Sequence, residues 1–115
     1  MSPSPLEALF AEQLRTEGIE FWQEYKFGCE DMAGKHHNYR MDFALPQLRI
    51  FVEVQGGIYM RRSGHNSPAG LKRDYNKCNL AQLAGWRYLQ FTADDVQDGK
   101  ACDMIIRFME AWKCG

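Results

Sequence analysis

The stretch Tyr39-Arg-Met-Asp-Phe-Ala-Leu-Pro-Gln-Leu-Arg-Ile-Phe-Val-Glu-Val-Gln-Gly-Gly57 decides the reading of this chain. It contains two apolar segments, at about 39–45 and 49–55, joined at Pro46-Gln47. Strand side chains alternate between faces, so Ile50, Val52 and Val54 point one way and Phe51, Glu53 and Gln55 the other. A hairpin brings Asp42 of the first strand opposite Glu53 of the second. Two acids set in apolar strands repel each other and lose hydration unless a cation neutralises them. Oxygen-only ligation suits magnesium, which accepts water and phosphate in its shell, and manganese is expected to substitute. An acidic pair that holds such a cation and meets phosphate points to phosphodiester hydrolysis.

Outward from that hairpin the elements follow from punctuation and periodicity. Residues 5–17 read as a helix, with Ser4 as N-cap, Pro5 as the first helical residue and Glu7 as the capping-box acid. Its apolar face is Leu6, Leu9, Phe10 and Leu14, and Gly18 ends it. Residues 19–27 read as a strand, and 28–38 as a loop or an exposed hairpin. Residues 56–69 read as a long loop, a length at which irregular segments of compact domains usually carry function. A helix follows from Gly70 to Leu83, closed by Gly85. Trp86 to Phe91 reads as a short buried strand and Thr92 as a cap or turn residue. The last helix runs from about 100 to 112, with Ile105, Phe108, Met109 and Trp112 facing inward. The expected fold is α/β in the order αβββαβα, a central mixed sheet flanked by helices.

Composition bounds the reading. The 115 residues are expected to form one domain, 1–115, and the 45% hydrophobic and 25% charged fractions are ordinary for a globular protein. No apolar run has membrane-spanning length, and Met-Ser-Pro-Ser-Pro does not read as a secretory signal. Cys29, Cys78, Cys102 and Cys114 are scattered, which suits reduced thiols and a cytoplasmic chain. A formal net charge of −1 argues against indiscriminate nucleic-acid binding but leaves room for a local basic patch.

Asp42 followed by Glu53-Val54-Gln55 resembles the signature of the PD-(D/E)XK nuclease superfamily. Met41 stands where that signature has Pro, and Gln55 where it has Lys. Upstream, Ser4-Pro5-Leu6-Glu7, Gln13-Leu14, Gly18-Ile19-Glu20-Phe21 and Glu24-Tyr25-Lys26 resemble the opening of phage endonuclease I-type junction-resolving nucleases. Gly85-Trp-Arg-Tyr-Leu-Gln-Phe-Thr92 is more similar to small endonucleases of the very-short-patch-repair type. The resemblance implies a restriction-endonuclease-like core and a Mg²⁺-dependent DNA endonuclease. Asp42 and Glu53 would be its metal ligands, with the Val54 carbonyl and Glu7 as further ones. It also implies branched DNA as a substrate, a homodimer, and the cytoplasm of a bacterial or phage-infected cell.

Each residue also has a plainer reading. Asp42 fits a solvated sheet face beside Arg40. Capping alone accounts for Glu7. Gln55 can orient water but supplies neither charge nor proton. Lys77 and Lys72, on the helix after the long loop, are the candidates to replace the absent lysine, although Lys77 also fits a surface pair with Asp74. Lys35, Arg40, Arg61, Arg62, His65 and Lys72 are candidate DNA contacts or solvated charge. Cys29, His36 and His37 lack a fourth ligand at zinc spacing. Trp86, Tyr88 and Phe91 are assigned to the core. Three alternatives remain open: a monomeric nicking or repair endonuclease, a catalytically weak DNA-binding module, and a structural protein of a phage or mobile-element assembly.

Overall fold

Three of the helices begin at a hydroxyl cap that the sequence supplies: Ser4, Ser67 and Thr92. In the computed structural model, which describes residues 4–55 and 67–114 and gives only the backbone for 112–114, the first helix is α1 (Pro5–Thr16). The Ser4 hydroxyl accepts from the Glu7 backbone N–H at 3.1 Å, and Pro5 needs no such partner. Gly18, at φ +71°, turns the chain out of the helix. Phe10, Ala11 and Leu14 are buried, whereas Leu9, expected on the apolar face, is 40% exposed.

The sheet follows as β1 (Trp22–Glu30), β2 (His36–Leu45) and β3 (Ile50–Gln55). The region at 28–38 is a hairpin. Strand pairing continues to Glu30↔His36, and the Asp31 carboxylate closes the turn by accepting from the N–H groups of Ala33 and Lys35, each at 2.9 Å. β1 therefore starts and ends later than the aromatic pattern of 19–27 suggested. Pro46 to Arg49 form the β2–β3 turn. Arg49, at φ +55°, donates to the Ala84 carbonyl at 2.8 Å and lies over the Trp86 ring. That ties the turn to the start of the next strand.

After residues 56–66, α2 (Pro68–Leu83) starts two residues before Gly70, because Ser67 caps it by accepting from the Gly70 N–H. β4 (Arg87–Thr92) then pairs parallel to β3, and the strand order is β1-β2-β3-β4 with the other pairs antiparallel. β4 is an edge strand in which only Phe91 is buried, so the expectation of a buried strand fails there. Thr92 and Asp95 form a reciprocal capping box that starts a short additional helix, α3 (Ala93–Gln97). α4 (Lys100–Cys114) closes the fold with Ile105 buried and Phe108 and Met109 partly so; the Trp112 side chain lies outside the described residues.

Two apolar layers sandwich the mixed sheet. α1, α3 and α4 cover one side through Phe10, Leu14, Val96 and Ile105, which meet Phe43, Leu45, Ile50, Val52 and Phe91. α2 covers the other through Leu80 and Ala81, which meet Phe27, Tyr39, Met41 and Phe51. Apart from the inserted α3, this is the expected helix-flanked mixed sheet.

The strand alternation slips at one place. Phe21 and Phe43 pack with the first layer, yet Tyr25 and Met41, of the same parity, pack with the second. In β2 the slip falls at Asp42. In β1 it falls beside Glu24, which takes a left-handed φ of +52°.

Candidate active site

The two buried charged residues among the described residues are Asp42 and Glu53. The β2–β3 pairs run Leu45↔Ile50, Ala44↔Phe51, Phe43↔Val52, so the next opposed pair in register is Asp42 with Glu53. There the side chains take over the hydrogen bonding. The Asp42 backbone N–H donates to Glu53 Oε2 at 2.8 Å, and the Val54 N–H donates to Asp42 Oδ2 at 2.9 Å. β3 meanwhile remains paired with β4 as far as Gln55↔Thr92. The carboxylates thus occupy the point where β2 and β3 stop forming a backbone ladder.

Their surroundings differ. Glu53 faces cationic and hydroxyl neighbours: Lys77 Nζ donates to Oε1 from α2, and Tyr88 of β4 is near enough for the Glu53 charge to act on its hydroxyl. The Lys77 and Glu53 side chains are 14% and 11% exposed, so this is a largely desolvated ion pair. Burial and the neighbouring Glu53 charge raise the Tyr88 pKa, which keeps its hydroxyl a proton donor. Asp42 faces more negative charge. Burial first, then Glu53, then Glu7 push its pKa up from 3.8 to about 6, against the Val54 N–H and Arg40, which favour the ionised form. Arg40 donates to Asp42 Oδ1 at 3.0 Å and lies 3.6 Å from the Glu24 carboxylate.

The structure therefore brings together Asp42, Glu53 and Lys77, places Arg40 on Asp42, and sets Glu7 close enough for its charge to be felt there. The surface-pair reading of Lys77 with Asp74 gives way to a buried contact with Glu53, because Lys77 lies on the sheet-facing side of α2. Gln55 does not join the carboxylates; its amide donates to Gln90 Oε1 at 3.3 Å. Lys72 is exposed on α2, and Lys35 is exposed in the β1–β2 turn. Arg61, Arg62 and His65 lie outside the described residues. The zinc grouping does not form: His37 Nε2 pairs with Asp31 at 2.7 Å, and no three His, Cys, Asp or Glu among the described residues are placed to hold a metal.

Sequence reasoning missed two members of this cluster. Tyr88 packs against the α2-side core as expected, and the parallel register Glu53↔Gln90 also sets it on the same face as Glu53 by the two-residue alternation. Glu24 stands opposite Asp42 once the β1–β2 register is known, between Gln23↔Phe43 and Tyr25↔Met41.

An acidic pair with hard oxygen donors, a raised Asp42 pKa and a lysine within reach suits a divalent cation such as Mg²⁺, which needs only one or two carboxylates and retains water. The donor set fits as a two-carboxylate site, with Glu7 near but not completing a third ligand.

No protein-family model matches this sequence, and no curated protein matches it. The fold is similar to the catalytic domain of homing endonuclease I-Bth0305I, with a TM-score of 0.69 at 19% identity over 95% of this chain and 97% of that one. The likeness shows a shared fold. No helix among the described residues is long and apolar enough to cross a membrane.

Proposed function

We propose that this chain is a divalent-cation-dependent DNA endonuclease that hydrolyses phosphodiester bonds, with a PD-(D/E)XK-like site. The observation that carries the reading is the Asp42–Glu53 pair at the β2–β3 fork with Lys77 held against it. The fold shared with a homing endonuclease catalytic domain supports it. Asp42 and Glu53 would hold Mg²⁺ or Mn²⁺, with the Val54 carbonyl as a further ligand and Glu7 adding negative charge close by. When bound, such a cation supplies Lewis acidity toward a phosphate oxygen.

The residues of the chain do the rest. Glu53 holds Lys77 in place, and the ammonium offsets negative charge that builds on the phosphate as water adds and the ester oxygen leaves. Lys77 thus takes the part that a lysine at position 55 would play. Tyr88 lies on the same sheet face beside Glu53, and the layers of the core limit its movement. Gln55 is held by Gln90 and takes no part in proton transfer.

The narrower reading is branched DNA cut by a homodimer, since paired nicks on opposed strands need two sites and twofold symmetry supplies them. One observation favours a weaker alternative, a DNA-binding domain that cuts poorly: Glu53 is already engaged by Lys77 and the Asp42 N–H. A nicking assay on supercoiled plasmid and on a synthetic four-way junction, with Mg²⁺ or Mn²⁺, separates the two. Cation-dependent cleavage lost in Asp42→Asn supports the nuclease. DNA binding without cleavage in either metal supports the binding module.

A further inference from the structure

Glu24 is the feature of the site that neither the core nor the ladder explains. It sits in the middle of β1 at φ +52°, a conformation that L residues adopt at a cost and that a glycine adopts freely. No extra residue forces it there. Gln23↔Phe43 and Tyr25↔Met41 keep one continuous register on both sides, so the residue facing Glu24 is Asp42. Its carboxylate, 37% exposed, is 3.6 Å from the guanidinium of Arg40, and that guanidinium donates to Asp42 at 3.0 Å through its other nitrogen. One cation is shared between a site carboxylate and a strained neighbour. Backbone strain retained beside a chemically active group marks a positional demand.

Resting on the nuclease reading, we propose that Glu24 is a positioning residue that acts through Arg40 to keep Asp42 available to a divalent cation. Arg40 on Asp42 competes with an incoming cation for Oδ1. Glu24 offers the guanidinium a second anionic partner on the facing strand. Arg40 can therefore leave Asp42 without losing its ion pair, and it stays beside the carboxylates with its side chain half-exposed. Without Glu24, Arg40 settles on Asp42 alone and holds the site closed to cations. The left-handed φ at residue 24 coincides with a carboxylate set beside Arg40 while the register continues on either side.

The test is Mn²⁺ binding to the full chain by calorimetry, without DNA, on a double-mutant cycle of Glu24→Gln and Arg40→Gln. Glu24→Gln should weaken Mn²⁺ binding roughly two- to fivefold, the range for a partly exposed ion pair. Arg40→Gln should strengthen it, and in that background Glu24→Gln should lose most of its effect. Glu24→Gly separates position from structure: it relieves the φ strain, so thermal stability should hold or rise while Mn²⁺ affinity falls as in Glu24→Gln. Equal losses from Glu24→Gln in both backgrounds would overturn the proposal, because Glu24 would then act directly. So would native Mn²⁺ affinity in Glu24→Gln. Asp42→Asn distinguishes the underlying reading: if it leaves Mn²⁺ binding unchanged, or if the native chain binds no Mn²⁺, the carboxylate-pair site itself is wrong.

Discussion

Lys77 donates to Glu53 from a position 24 residues further along the chain, on a different element and across the α2 side of the sheet. A lysine two places after Glu53 would share its strand and face. This one arrives from a helix, so its charge depends on the packing of Leu80 and Ala81 against the sheet. The pair is also largely desolvated, and removing either member leaves a buried charge without its partner.

That arrangement makes Lys77 the first residue to test. Lys77→Gln should lower kcat about 100-fold, the loss typical of removing one preorganised donor at a developing charge, with DNA affinity nearly kept. Lys77→Ala should also cost about 3 kcal/mol of stability by stranding Glu53, so urea unfolding must accompany the kinetics. Adding Gln55→Lys to Lys77→Gln should recover part of the rate, since Gln55 shares the face of Glu53. Matching losses in DNA affinity and rate would reduce Lys77 to ground-state binding.

Asp42 predicts a pH dependence whose sign is fixed by its raised pKa. Between 3.8 and about 6 the folded, cation-free protein binds a proton that the unfolded chain has released. The stabilisation from protonated Asp42 is complete below the ordinary carboxylate range and is lost as pH rises through about 6. The shift corresponds to on the order of 2–3 kcal/mol for this side chain, which is 11% exposed. Asp42→Asn should therefore be more stable than the native protein at pH about 7.5 in chelator, with the gap narrowing toward pH about 4.5. Mg²⁺ should raise the Tm of the native protein and leave that of Asp42→Asn in place. A native Tm insensitive to pH across this window would contradict the burial of an ionisable Asp42.

Glu7 can be tested without disturbing the helix it sits on. Ser4 caps α1 through the backbone N–H of Glu7, so Glu7→Gln leaves that hydrogen bond intact. The loss of an acid from the first turn costs about 0.3–1 kcal/mol through the helix dipole. Mn²⁺ affinity should fall by more than that term implies if the carboxylate assists the cation. Unchanged Mn²⁺ binding would confine Glu7 to the helix start.

Much of this was legible in the sequence because local rules and the fold agree. Ser4-Pro5, Gly18 and the Asp42/Glu53 strands carry their own caps, stops and alternation; α1 and β3 fall within a residue of where those signals put them, and β2 ends at Leu45 as expected but starts earlier, at His36. The opposed acids follow from the hairpin alone. What the sequence hid was long-range. Lys77 pointed equally to Asp74 or to the site until α2 was seen against the sheet. Tyr88 looked like any half-buried strand aromatic until the β3–β4 register set it beside Glu53. The left-handed Glu24 carries no composition signal, since glutamate ordinarily avoids that conformation. Leu9 read as apolar face because amphipathic counting includes every apolar residue, whereas the buried stripe of α1 is narrower.

With a formal net charge of −1, tight DNA binding has to run through clustered cations rather than through the protein as a whole. Lys35, Lys72 and Arg40 are exposed on the described surface, and Arg61, Arg62 and His65 follow Glu53 in sequence. Affinity should fall steeply with salt, and alanine at Arg61, Arg62 or Lys72 should each lower the slope by about one where the side chain meets a phosphate. A junction-resolving enzyme should in addition be a dimer by light scattering, with contact through the β1–β2 hairpin, where Met32 is 90% exposed at the turn, or through α1. Met32→Glu should then yield monomers that nick one strand but no longer make paired cuts in a four-way junction. A native monomer that prefers junctions to linear duplex rejects the paired-site model, and one that nicks any duplex favours a repair-type endonuclease.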